Sequence, residues 1–208
     1  MRDVLAWTRG EMLPEGHPFR TIRAEPAGPT SPEPWILGSS AYGTQVTAHF
    51  GVPYCFAHFI TDGQGAAEAL DMYRGPCHPS AAFPAPLPAL AVWAMAAETA
   101  AQAEWQYASR ALWRLGRDRG VYTPLPSPEE AAAYPSTEAE RHHTQSLRQT
   151  VLTGTGTQVA DKLREVGSQH GVTEIAILTT LYSKAPRQRS YSLISEALAR
   201  HDITLAAE

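Results

Sequence analysis

Two short apolar runs, Trp35-Ile36-Leu37 and Tyr54 through Ile60, bracket a helical stretch from Ala41 to Phe50, and this arrangement constrains the chain more than any other feature. Gly38-Ser39-Ser40 ends the first run and opens the helix, and Gly51-Val52-Pro53 closes it before the second. Runs without polar alternation belong to strands covered on both faces, as in a parallel sheet. Strand, helix and strand in that order make a βαβ unit. The chain therefore reads as α/β, not as a sandwich or a helical bundle.

The same alternation continues downstream. Gly63 and Gly65 lead into a helix over Ala66 to Tyr73, whose apolar positions Ala66, Ala69, Leu70 and Tyr73 have helical spacing. A third strand is expected over Ala89 to Ala96 and a long helix over Thr99 to Gly116, followed by a proline-marked loop with a short helical segment, Glu129 to Ala133. Thr137 to Leu152 reads as a polar helix broken by Thr153-Gly154-Thr155-Gly156. Thr157 to His170 is amphipathic, with Gly171 as its cap, Glu174 to Leu181 is a fourth strand, and Arg187 to Arg200 a terminal helix. Ahead of Trp35, a short helix over Asp3 to Arg9 gives way to closely spaced prolines and glycines. Residues 1–34 are thus expected to form an irregular lead-in, with the core starting at Trp35 and residues 35–208 forming the body. Four strands are half of what a closed (β/α)8 barrel requires.

Composition narrows the function. Against 21 acidic residues stand 17 Lys and Arg, a formal net charge of −4 in 208 residues, which gives no footprint for gripping a nucleic-acid backbone. Two cysteines, Cys55 and Cys77, make neither a disulfide framework nor a thiolate zinc site. No apolar run approaches the roughly 20 residues of a membrane span, and Met1 to Arg9 has no signal-peptide pattern. A cytoplasmic location without membrane or nucleic-acid partners is the expectation.

Two places carry chemistry. Gly38-Ser39-Ser40-Ala41-Tyr42 joins a strand end to a helix start, where free backbone N–H groups, hydroxyl donors and the positive end of the helix dipole favour an anion. The same serines also suit a plain helix cap. His58 reads as the end of the second strand, able to exchange a proton near neutral pH or to serve as a hydrogen-bonded structural residue. The remaining histidines form no metal-binding array, and Cys55 reads as a small buried hydrophobe.

The ordered set of segments resembles the bacterial luciferase-like family of flavin-dependent monooxygenases, within it the MsnO8-type group. It comprises Trp35 to Phe50, Gly51-Val52-Pro53, the strand running to Ala57-His58-Phe59, Leu70 to Arg74 with Pro79-Ser80, Val151 to Val159, Thr173 to Thr180, and Arg189-Ser190-Tyr191. The resemblance implies a (β/α)8 barrel of which this chain supplies about four C-terminal βα units. The family's usual catalytic histidine lies on early strands with no counterpart here, so turnover by this chain alone is left open. It further implies FMN as cofactor, with Gly38, Ser39, Ser40 and Tyr42 at its phosphate and His58 beside its ring. The implied partners are a small organic substrate, a separate flavin reductase, and either a second copy of the chain or the missing N-terminal half. The alternative is a non-catalytic flavin-binding or structural half-barrel.

Overall fold

The computed structural model describes residues 1–26, 28–80 and 82–205. In chain order its elements begin with α1 (Arg2–Thr8), β1 (Ile36–Gly38), α2 (Ala41–Phe50), β2 (Tyr54–Phe56), α3 (His58–Thr61) and α4 (Ala66–Arg74). There follow β3 (Pro88–Ala97), α5 (Ala100–Asp118), α6 (Pro128–Ala133), α7 (Glu138–Thr150), β4 (Leu152–Thr155), α8 (Gly156–His170), β5 (Glu174–Leu178) and α9 (Lys184–Leu205). The chain folds as two compact units, Met1–Phe56 with Ala67–Ala89, and Ala57–Ala66 with Leu90 onward.

In the first unit β1 and β2 run parallel, with Ile36 opposite Tyr54 and Gly38 opposite Phe56. Between them α2 stops at Gly51, which takes the left-handed conformation at φ 59°. A Cβ there would also sit 2.0 Å from the His78 carbonyl oxygen, so both the turn and the close approach demand glycine. Tyr73 on α4 is buried; its hydroxyl donates to Val52 O at 3.0 Å and accepts from the Leu87 N–H at 3.0 Å. Its ring meets that of Tyr54 with centroids 5.5 Å apart.

The second unit is built on β3, buried from Ala89 to Ala96 without alternation, as expected of a strand covered on both faces. β4 lies parallel to it, Ala94 opposite Leu152 and Ala97 opposite Thr155, and β5 also pairs with β3. Trp93, Met95, Ala103, Tyr107, Val151 and Leu181 form a core against which Phe59 packs. Buried hydroxyls tie the later elements to β3: Ser190 accepts from the Ala96 N–H at 2.9 Å, and Thr179 donates to Ala94 O at 2.7 Å.

The α/β class and most helices stand where periodicity puts them, and four differences have physical reasons. Leu152–Thr155 is a fifth strand where a helix end and a break were expected; the β-branched Thr153 and Thr155 suit extended backbone, and β3 lies alongside to pair with it. Within that segment Thr155 also caps α8, in a reciprocal box with Gln158. The second strand ends at Phe56, so His58 does not end a strand but opens α3. The core does not start at Trp35, which is 38% exposed, because Leu5, Ala6 and Leu13 ahead of it are buried. Finally, β5 alternates between half-buried Ile175 and Ile177 and exposed Glu174, Ala176 and Leu178, unlike the fully buried β3. No helix among the described residues is long and apolar enough to cross a membrane.

Candidate functional site

The turn between β1 and α2 is shaped from beneath. Tyr54, the first residue of β2, is fully buried and donates its hydroxyl proton to Gly38 O at 3.0 Å. Buried Thr44, on the first turn of α2, places its hydroxyl 2.9 Å from the Tyr54 oxygen and 3.1 Å from Ser40 O. These bonds fix the carbonyls on either side of Ser39 and so fix the bend. Above them the turn is open: Ser39 is half-buried, while Ser40, Ala41 and Tyr42 are exposed, Tyr42 at 77%.

Ser40 is the N-cap of α2, and its Oγ accepts from the Gly43 N–H at 3.2 Å. The capping reading therefore holds for Ser40. It leaves the Ser40 hydroxyl proton available to donate outward, since only the oxygen is engaged. The Thr44 N–H is taken by Ser40 O. Of the first four N–H groups of the helix, those of Ala41 and Tyr42 have no cap among the described residues. The Ser39 hydroxyl, the Ser40 hydroxyl proton and these two amides form a donor set at the positive end of a helix, the arrangement that receives a phosphate or carboxylate. Gly38, Ser39, Ser40 and Tyr42 are thus brought together on one turn of the first unit.

His58 lies in the second unit, at the start of the one-turn helix α3. Its carbonyl accepts the Gly63 N–H at 3.1 Å, and a Cβ on Gly63 would fall 2.5 Å from His58 Nε2, so the imidazole lies directly over that glycine. Burial pushes the imidazole below its ordinary range, His170 adds to the depression, and the Asp62 carboxylate opposes it. The ring is therefore neutral near pH 7 and can accept a proton.

Asp62 and Arg114 escape a reading of the sequence. Arg114 Nη2 stands 3.0 Å from Asp62 Oδ2 with both side chains largely buried, and Arg114 Nε stands 2.8 Å from Asp118 Oδ1. Fifty-two residues separate the first pair, and only the tertiary fold brings them together. Tyr54 and Thr44 were equally invisible, because each looks like an ordinary strand or helix residue. Cys55 is buried and its thiol is pushed up to about 11 by desolvation, as befits a packing residue. Among the described residues no group of three or more His, Cys, Asp or Glu could hold a metal ion.

No protein-family model matches the chain. It is 31% identical over 186 residues to the uncharacterized protein YceB of Bacillus subtilis, covering 89% of this chain and 56% of that protein. It is 28% identical over 160 residues to a luciferase-like monooxygenase of Escherichia coli, covering 76% of this chain and 47% of that one. The chain thus spans about half the length of the relatives it matches. Among solved structures, apo-MsnO8 superposes with a TM-score of 0.77 at 28% identity, over 95% of this chain and 59% of that one. The oxygenating constituent of 3,6-diketocamphane monooxygenase, a type II Baeyer–Villiger enzyme in complex with FMN, shares the fold with a TM-score of 0.53 at 14% identity, over 82% of this chain and 49% of that one.

Proposed function

This chain belongs to the luciferase-like monooxygenases, and from that premise we propose that it binds FMN through the turn Gly38 to Tyr42 and serves oxidation of a small organic substrate. The observation that carries the reading is the open bend at the head of α2, held rigid from below by Tyr54 and Thr44. The donor set fits a phosphate: Ser39 and Ser40 hydroxyls with the amides of Ala41 and Tyr42, and no side chain capping those amides among the described residues.

Reduced FMN, when bound, supplies the electrons with which oxygen is activated for insertion into the substrate. The chain's own residues do the rest. Ser39 and Ser40 anchor the phosphate, Tyr54 keeps the Gly38 backbone from moving under it, and Tyr42 adds its backbone N–H. In the second unit His58, neutral near pH 7, is the residue suited to accept or return a proton. A separate reductase provides the reduced flavin. The barrel is completed by further βα units, from a second copy or from a polypeptide equivalent to the part of the relatives outside the match.

Titrating FMN into the purified chain while following flavin fluorescence tests this. Replacing Ser39→Ala together with Ser40→Ala is expected to weaken binding by about 1–3 kcal/mol, the worth of hydrogen bonds to a charged group. An affinity unchanged in the double variant rejects the site. A second reading is a non-catalytic flavin-binding or structural half-barrel that assembles with itself or a partner chain, for which Leu37 and Leu178, 55% and 42% exposed on their strands, offer apolar surface.

A further inference from the structure

We propose that the Asp62–Arg114 ion pair is the positioning device for His58, fixing the imidazole over Gly63 at the head of α3; this rests on the reading of His58 as a proton-transfer residue.

The turn from His58 to Gly63 holds two successive residues in the left-handed region, Asp62 at φ 52° and Gly63 at φ 85°. Glycine adopts that conformation freely, but an aspartate does so at an energetic cost and persists there only when its surroundings hold it. Arg114 is what holds it. Its guanidinium meets Asp62 at 3.0 Å, and Asp118 clamps the same guanidinium from its own helix at 2.8 Å. The two side chains are 13% and 17% exposed, so the pair is shielded from water and salt. With Asp62 anchored, the Gly63 N–H reaches His58 O, and the imidazole has one place to lie. The charged or titratable groups facing His58 are Asp62 on its own turn and His170 at the end of α8.

The test is the proton titration of His58, followed by nitrogen-15 NMR of the imidazole in the flavin-free chain. Arg114→Gln leaves the Asp62 carboxylate uncompensated and loosens the turn, and both effects raise the midpoint. Arg114→Lys keeps the cation and restores it. Asp62→Asn, which tolerates the left-handed backbone, removes the carboxylate that favours the imidazolium and lowers the midpoint. Opposite shifts from the two halves of the pair support the proposal; shifts in the same direction, or none, overturn it. The titration needs no flavin, so failure of the FMN reading shows in the fluorescence experiment and leaves this result standing.

Discussion

At the scale of single residues, the chemistry of the β1–α2 turn depends on groups that never touch a ligand. The Tyr54 phenol is buried, and removing its hydroxyl leaves Gly38 O and the Thr44 hydroxyl short of a partner. Tyr54→Phe is therefore expected to cost about 1–2 kcal/mol of stability, read from chemical denaturation, and to weaken FMN binding as the bend relaxes. A variant as stable as the parent would remove the basis for calling the turn rigid. Cys55 supplies an independent check on the packing. With its thiol buried and pushed up to about 11, it is expected to react with a thiol reagent at neutral pH only on unfolding, whereas half-buried Cys77 reacts in the native state. What the sequence made legible at this scale was the donor-bearing serines, since Gly-Ser-Ser before a helix is a local pattern. The hydroxyls beneath them were not legible, because the Tyr54 bond to Gly38 spans sixteen residues and follows from the parallel pairing of two strands.

At the scale of elements, α7 shows how a helix with little apolar surface is retained. It begins with a reciprocal box in which the Thr137 N–H donates to Glu140 Oε2 at 2.6 Å and Thr137 Oγ1 accepts from the Glu140 N–H. Glu140 also takes a bond from Arg119 beyond the end of α5, and His143 and Arg148 pair with Asp118 and Glu104. The Thr137 N–H foremost, and then the Arg119 guanidinium, hold the Glu140 carboxyl at about 2, below its ordinary value of 4.5. A carboxyl depressed on folding stabilises above its unfolded value, and that contribution fades as the pH falls through the folded one. The melting temperature of Glu140→Gln should thus lie below that of the parent at pH 6, the gap closing as pH drops from about 4.5 toward 2. A gap independent of pH would show that the carboxylate is not what anchors α7. The helices were legible because their signals are local, in apolar spacing and in the glycines and prolines that end them. β4 was not: Leu152–Thr155 carries two threonines and a glycine and looks like a loop until β3 lies beside it.

At the scale of the whole molecule, the chain has the α/β fold of enzymes roughly twice its length, and the strands expected to be covered differ in how far they are. β3 is buried throughout, whereas Leu37 on β1 and Leu178 on β5 remain about half exposed. Apolar side chains on strand surfaces are the places where further polypeptide packs. Sedimentation of the purified chain should accordingly show concentration-dependent association, reduced by Leu37→Glu and Leu178→Glu; a monomer at all concentrations would argue that this chain closes no barrel with itself. The βαβ order was legible from the apolar runs alone, but the strand count read from them fell one short, because β4 carries no such run. The burial of Leu5, Ala6 and Leu13 was not, since the prolines that follow them hide any periodicity.

Backbone amide NMR reads out whether the head of α2 receives the phosphate of a flavin. Added FMN should shift the resonances of Ser39, Ser40, Ala41 and Tyr42, while riboflavin, identical but for the phosphate, should leave them in place. Equal shifts from both ligands, or none from FMN, would contradict the account.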